Sequence, residues 1–352
     1  MTSSIPATQL VGVYHGPRDI RLETRPVPRP GPDEALIRIT ATALCAGEAM
    51  DWYSARPGGK VLGHEAVGVV AAVGPTASGV AVGDRVFVNH HVGSLRSPQA
   101  LRGHFTIDPA YRSTRLDPGA MASYARVSAA HLATDTRLVP PSIPDDVATT
   151  IEPWSCVLGG LKTCGIQPGD TVLVLGGGFM GLGFAHMAPL FGAGRVLVSD
   201  YSAWRRGKAL ALGASQAINA GGDVPAQVRA ANGGRLADVV VAAVPAAAVF
   251  AQARSLVEAG GTIHLAAPGR PGDTWGQDAA EAYFSEVAIT SKYSADHRDT
   301  FQYLRLLEAG RVDPSPAITH HFPLSQLPEA FRLLQAADES LKIVLYPPTE
   351  LG

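Results

Sequence analysis

Cysteine is scarce: Cys45, Cys156 and Cys164 are the three in 352 residues. So few, and an odd number, support no disulfide framework and point to a reducing compartment, so a cytoplasmic protein is expected. Charge is scarce too. Asp, Glu, Lys and Arg form 17% of the chain, against roughly 25% in soluble domains, and nearly cancel, 29 basic to 31 acidic. Without a basic surplus, nucleic acid and acidic membrane surfaces are not expected partners. Long apolar runs are missing as well. The longest, Val239 to Ala251, has 13 residues and contains Pro245, where a bilayer span needs about 20. Met1 to Leu10 carries no Lys or Arg ahead of an apolar stretch, unlike a signal peptide.

What is present is a well-ordered chain with 46% hydrophobic residues, 38 Gly and 27 Pro. Its length predicts two domains, at about 150 residues each. The first part reads as short strands between turns. In Leu36 to Ala43 the apolar residues alternate with Arg38, Thr40 and Thr42, the period of a half-buried strand. Ala66 to Val73 and Arg85 to Val88 are further strands bounded by Gly74-Pro75 and Gly83-Asp84. A small barrel-like β domain is the expectation. From Asn89 to Gly119 periodicity vanishes, and a long loop without regular structure is expected there.

After Ile143-Pro144 the texture changes. Asp146 to Cys164 reads as a helix. Thr171 to Leu175, Val196 to Ser199, Val239 to Ala243 and Thr262 to Ala266 read as strands separated by helical segments, the pattern of βαβ units on a parallel sheet. Phe301 to Ala309 and Leu327 to Ala337 read as amphipathic helices.

Gly176-Gly177-Gly178-Phe179-Met180-Gly181 fits G-x-G-x-x-G and directly follows the first of those strands. Such glycines make a tight turn, admit pyrophosphate to the backbone and let helix pack on strand, while the helix N-terminus attracts phosphate. The next strand ends at Asp200, 19 residues after Gly181. A carboxylate there accepts from ribose hydroxyls and repels a 2′-phosphate, favouring NAD(H) over NADP(H). Arg205 and Arg206 nearby complicate that charge argument. The plainer alternative is an ordinary turn followed by an Asp helix cap.

Cys45, His64, Glu65 and Glu152 supply thiolate, imidazole and carboxylate, the donors of a catalytic zinc. Singly, each is commonplace. Adjacent residues of a regular strand point to opposite faces, so His64 and Glu65 can both ligate only if Gly63 allows irregular backbone.

Taken together, Gly63-His64-Glu65-Ala66-Val67-Gly68, Gly83-Asp84-Arg85-Val86 and Gly176 to Gly181 resemble the medium-chain, zinc-containing alcohol and polyol dehydrogenases. Leu116-Asp117-Pro118-Gly119, Ile151-Glu152-Pro153 and Ile318-Thr319-His320-His321-Phe322-Pro323-Leu324 resemble the sorbitol- and threonine-dehydrogenase-like branch. The resemblance implies an α/β architecture: a chaperonin-10-like (GroES-like) β-barrel catalytic domain over 1–152, a doubly wound Rossmann domain over 153–294, and a segment 295–352 returning to the first. It implies NAD(H) on Gly176, Gly178, Gly181 and Asp200, with Arg205 on the adenine. It implies one zinc on Cys45, His64 and either Glu65 or Glu152, the last able to ligate directly or through water. A small-molecule substrate and a homodimer or homotetramer are implied as well.

Three departures from the family pattern stand out. The loop Asn89 to Gly119 has no cysteine, so no four-thiolate structural zinc is expected. Its His90, His91 and His104 are not taken as a second metal site. Gly47 in Cys45-Ala46-Gly47-Glu48 lacks the hydroxyl that normally relays the substrate proton, and Met50 stands where a relay His is common. Glu48, Asp51 and His91 are the candidate replacements. Each has a structural alternative: Glu48 supporting His64, Asp51 capping a helix, His91 holding the loop. Trp52, Tyr53, Trp154 and Trp275 are aromatic candidates for a pocket lining, or simply core.

The leading expectation is hydride transfer between NAD(H) and a secondary alcohol or ketone of a polyol, sugar or cyclitol-like substrate. The competing ones are a zinc-poor reductase of an activated C=C or C=N bond, a reaction begun by transient oxidation, and a non-catalytic nucleotide-binding relic.

Overall fold

The computed structural model describes residues 5–17, 19–54, 60–274, 276 and 278–348. Trp275 and the Tyr53 side chain lie outside the described residues. Two compact units divide the chain: Met1–Ser155 with Ala295–Gly352, and Cys156–Ser294.

The first unit opens with β1 (Thr8–Gly16), β2 (Asp19–Pro26), β3 (Ala35–Ala43), β4 (Lys60–Val61), β5 (Glu65–Val73), β6 (Arg85–Val88), β7 (Tyr124–Val127) and β8 (Thr136–Leu138). In β3 the predicted alternation holds from Ile37 to Ala41, with Ile37, Ile39 and Ala41 buried and Arg38 and Thr40 half-buried, but Thr42, expected on the polar face, is buried too. Ile37 and Ile39 pack with Val70, Val86, Leu116 and Ala125 into one apolar cluster.

The loop after β6 departs from the sequence reading. It contains a short helix, Pro98–Leu101, with Ser97 Oγ accepting from the Ala100 amide at 3.1 Å, and two 3-10 turns, Phe105–Ile107 and Tyr111–Ser113. Asp108 Oδ1 accepts from Ser94 and Ala110 amides, Thr114 Oγ1 bonds both N and O of Val92, and the buried Tyr111 hydroxyl donates to Ala295 O at 2.8 Å. Polar contacts between distant positions order this loop, and they leave no periodic trace in the sequence. The predicted Asp146 to Cys164 helix is likewise two helices, Asp145–Ala148 and Ile151–Leu161.

The second unit carries β9 (Thr171–Leu175), β10 (Arg195–Asp200), β11 (Gln216–Asn219), β12 (Ala237–Ala242), β13 (Val257–Leu265) and β14 (Ala288–Ser291). All pair in parallel, in the order β11-β10-β9-β12-β13-β14. This is the order of the doubly wound dinucleotide fold, with the crevice at the β9/β12 switch point. Every residue of β9 is buried, which explains a continuous apolar run where a half-exposed strand would alternate.

The chain returns to the first unit as β15 (Ile318–Pro323) and β16 (Lys342–Tyr346). They complete a seven-stranded sheet along β15-β16-β3-β5-β6-β8, with β7 also on β3. Among the described residues, no helix is long and apolar enough to cross a membrane.

Candidate active site

The β3–β5 ladder sets the site. Ala43, the last residue of β3, pairs with Glu65, the first of β5. The chain beyond Ala43 is pinned by the Leu44 amide donating to Ile343 O at 2.9 Å, which delivers Cys45 beside the start of β5. Gly63 has φ +94°, and a Cβ there would stand 2.3 Å from the Met121 amide nitrogen. That left-handed residue breaks strand alternation just before β5. In consequence Cys45, His64 and Glu65 bring one ligand atom each within 4.8 Å of one another. It is the one such group of His, Cys, Asp and Glu found among the described residues.

Glu48 sits behind this group and is buried. It lies within the turn Ala46–Ala49, accepts from the Gly63 amide at 2.7 Å and the Cys45 amide at 3.3 Å, and stands 3.3 Å from His64 Nδ1. Glu65 is fully buried and paired by Oε2 with Lys342 Nζ at 2.6 Å. Its Oε1 has no hydrogen-bond partner among the described residues. A buried carboxylate oxygen left open beside a thiol and an imidazole is the state a cation would complete. Thiolate, imidazole and carboxylate are also zinc's own donor set, so the residues fit the ion.

The other sequence candidates are not members of that group. Glu152 is buried in the first turn of Ile151–Leu161. Asp51 is exposed in the first turn of Asp51–Ser54. His91 is buried, and its Nδ1–H donates to Thr114 O at 2.5 Å. Burial pushes its imidazole down to about 4, against the opposing effect of that hydrogen bond, so it is neutral at pH 7. His90 lies between the rings of His64 and His91, at 4.7 and 4.0 Å between centroids, and burial drives its pKa well down also. Trp154 is fully buried, edge-on to Tyr303 at 6.4 Å, and belongs to the core rather than a pocket wall. Trp52 is half-buried.

In the second unit Gly176 has φ +106°. A Cβ on Gly181 would fall 1.8 Å from Gly176 O, whereas one on Gly178 would meet nothing within 4 Å. Two glycines therefore close the turn, and the third leaves open space before the helix Phe179–Met187. Asp200 braces the loop: Oδ2 accepts from Gly177 N and Oδ1 from Ser202 N, both at 2.8 Å. Each oxygen keeps a lone pair for a further donor. Arg206 Nη1 donates to Asp200 O and Tyr201 O at 2.8 Å, so this cation is tied to the strand end. The Arg205 amide bonds Ser202 Oγ at 3.3 Å, within the first turn of Ala203–Ala211.

Residues 31–138 match the family model of the alcohol dehydrogenase GroES-like domain, and residues 180–309 that of the zinc-binding dehydrogenase. The chain belongs to the zinc-type medium-chain dehydrogenases. It is an oxidoreductase of the alcohol/polyol dehydrogenase type whose cofactors are NAD(H) and zinc. It is 29% identical to the sorbitol dehydrogenase of Bacillus subtilis (strain 168), over 99% of both chains. The alcohol dehydrogenase of Thermus sp. ATN1 is 26% identical, with a TM-score of 0.86 over 96% of this chain and 100% of that one. A protein of Sinorhizobium meliloti 1021 described as a zinc-binding dehydrogenase, solved bound to NADP, is 24% identical with a TM-score of 0.85 over 97% and 100%, a likeness of fold.

Sequence reading missed Lys342. A lysine opening the apolar strand Lys-Ile-Val-Leu-Tyr is the only local signal, and the lysine is 3% exposed.

Proposed function

We propose that this dehydrogenase transfers hydride between NAD(H) and a secondary alcohol or ketone of a polyol, sugar or cyclitol-like molecule, with zinc on Cys45, His64 and Glu65. The observation that carries it is the convergence of those three donors around the open Glu65 Oε1. The likeness to a sorbitol dehydrogenase along the whole chain supports the polyol class. Zinc bound there supplies Lewis acidity toward the alcohol oxygen, and the nicotinamide supplies the hydride acceptor.

The remaining work belongs to the chain. Glu48 fixes the His64 ring and the Gly63 amide, a positioning duty that occupies its oxygens. Gly176, Gly178 and Gly181 shape the phosphate turn, Asp200 receives the ribose hydroxyls, and Arg205 covers the adenine. Glu152 serves as an auxiliary ligand through water. With Gly47 and Met50 in the relay positions, the proton leaves through water, and Asp51 and His91 are its side-chain candidates.

In this reading 1–152 with 295–352 is the catalytic domain and 153–294 the nucleotide domain, in a cytoplasmic homodimer or homotetramer. Support for self-association comes from β14, an edge strand whose Ala288, Ile289 and Ser291 are exposed, beside Tyr283 and Phe284 at 77% and 82% exposure.

Metal analysis with NAD-linked turnover on a polyol panel tests the function. One zinc per chain is expected, with activity abolished in Cys45→Ser. Two zincs per chain, or wild-type turnover by Cys45→Ser, would overturn the assignment.

A further inference from the structure

Lys342 is a fully enclosed cation in the first unit, one strand beyond the ladder that carries the metal-type residues. β16 lies next to β3, and β3 next to β5. The lysine side chain therefore crosses the end of β3, where its Nζ donates to Leu44 O at 3.1 Å and to Glu65 Oε2 at 2.6 Å. Leu44 is the residue before Cys45, and its own amide is held by Ile343 O, next to Lys342. The ammonium is thus clamped to the backbone that presents Cys45, and Glu65 is clamped to the ammonium. Lysine is almost never buried without a partner, and a lone buried charge is costly, so each charge stabilises the other here.

We propose that Lys342 is a positioning residue for the metal carboxylate: by holding Oε2 it fixes the rotation of Glu65 and leaves Oε1 to zinc. The proposal rests on the reading that Cys45, His64 and Glu65 hold the ion. A free carboxylate on a strand end can rotate about its last bond and offer either oxygen. Anchoring one oxygen removes that freedom, and the open Oε1 beside an occupied Oε2 is the arrangement this produces. Partners that orient metal ligands are typically worth 10–100-fold in metal affinity. Methionine at 342 keeps the aliphatic length and deletes the anchor. Arginine keeps the charge and the donors.

The test is zinc affinity of the full-length protein by competition with a chromophoric chelator, in wild type, Lys342→Met, Lys342→Arg, Glu65→Gln and the Glu65→Gln/Lys342→Met pair. Absorption of the cobalt(II)-loaded forms is a second readout. Lys342→Met should bind zinc about 10–100-fold more weakly, with Lys342→Arg recovering part of the loss. In the Glu65→Gln background the same change should matter by no more than about twofold, and the cobalt spectrum of Lys342→Met should shift toward that of Glu65→Gln. If Lys342→Met does not fold, Lys342→Gln, still a donor to Leu44 O, takes its place in the cycle. Unchanged affinity, or equal losses in both Glu65 backgrounds, would overturn the role of Lys342 while leaving the zinc site standing. A wild-type protein that retains no zinc overturns both.

Discussion

Glu48 Oε1 stands 3.3 Å from His64 Nδ1 and 2.7 Å from the Gly63 amide, so one carboxylate oxygen holds both the imidazole and the irregular residue before it. With Nδ1 engaged, Nε2 is the ring nitrogen available to an ion. Ligand histidines depend on such outer partners for tautomer and ring orientation.

Glu48→Ala should therefore weaken zinc about 10–100-fold by chelator competition and lower turnover in proportion to metal lost. Restoring saturating zinc should recover most of the activity. An activity that stays low at full zinc occupancy would instead make Glu48 part of the proton path.

Gly63 explains how consecutive residues serve one centre, and it tolerates no side chain. Gly63→Ala combines left-handed backbone with a Cβ 2.3 Å from Met121 N. Strain of about 1–3 kcal/mol adds to the overpacking. Gly83 is the control, with φ +96° and nothing within 4 Å of a Cβ. In urea unfolding Gly83→Ala should lose only the backbone penalty, while Gly63→Ala should lose more and bind zinc poorly. Equal losses would show that Met121 simply moves aside.

Asp200 braces Gly177 and Ser202, and in the proposed reading its remaining lone pairs receive a ribose. Asp200→Ser should weaken NADH binding by about 10-fold or more, since hydrogen bonds to a charged group are worth about 1.5–3 kcal/mol. It should also narrow the preference for NADH over NADPH by removing the carboxylate's repulsion of a 2′-phosphate. Fluorescence titration with both nucleotides reads the ratio. A wild-type protein that prefers NADPH would contradict the reading of Asp200.

Local signals reached most strands, the glycine turn after β9 and the residues that gather as Cys45, His64 and Glu65. β6 and β9 fall at their predicted bounds, and the oddity of adjacent His64 and Glu65 pointed directly to Gly63. The partners of the site were harder to read. Lys342 reaches Glu65 only because β16, β3 and β5 lie side by side, a register between residues 277 positions apart that no periodicity encodes. Trp154 was ambiguous for the opposite reason: an aromatic on a helix looks the same in sequence whether it lines a pocket or fills the core.

His264 gives the second unit a pH dependence. Burial pushes its imidazole down to about 4, while Nδ1 lies 3.0 Å from Thr290 Oγ1 and its ring packs on Phe184 at 5.4 Å. Above pH 6.5 the ring is neutral in folded and unfolded chains alike. As pH falls from 6.5 toward 4, only the unfolded chain takes up the proton, so stability drops, by about 2 kcal/mol at pH 5. The drop levels off below pH 4. His264→Asn should be less stable at pH 7 yet show a shallower decline between pH 6.5 and 4.5. Parallel stability–pH curves for the two proteins would mean that the buried ring does not control the slope.

Gly47 is the clearest departure in the reaction machinery. It lies half-buried in the 3-10 turn Ala46–Ala49 between Cys45 and Glu48, a right-handed conformation that serine adopts without strain. Gly47→Ser therefore puts a hydroxyl two residues from Cys45, the proposed thiolate ligand, while leaving the turn intact. Alcohol oxidation needs a proton to leave the substrate oxygen, and a positioned relay group contributes about 10²–10⁴-fold where that transfer limits the rate. Zinc bound at the proposed site would strongly lower the pKa of a bound oxygen, so water alone would sustain the wild-type reaction and the gain should fall below that range. Pre-steady-state NADH formation should accelerate in Gly47→Ser, with zinc content unchanged and the gain greatest at low pH, where loss of the proton is hardest. A rate equal to wild type across the pH range would place the slow step in hydride transfer or product release, and the missing hydroxyl would then carry no kinetic consequence.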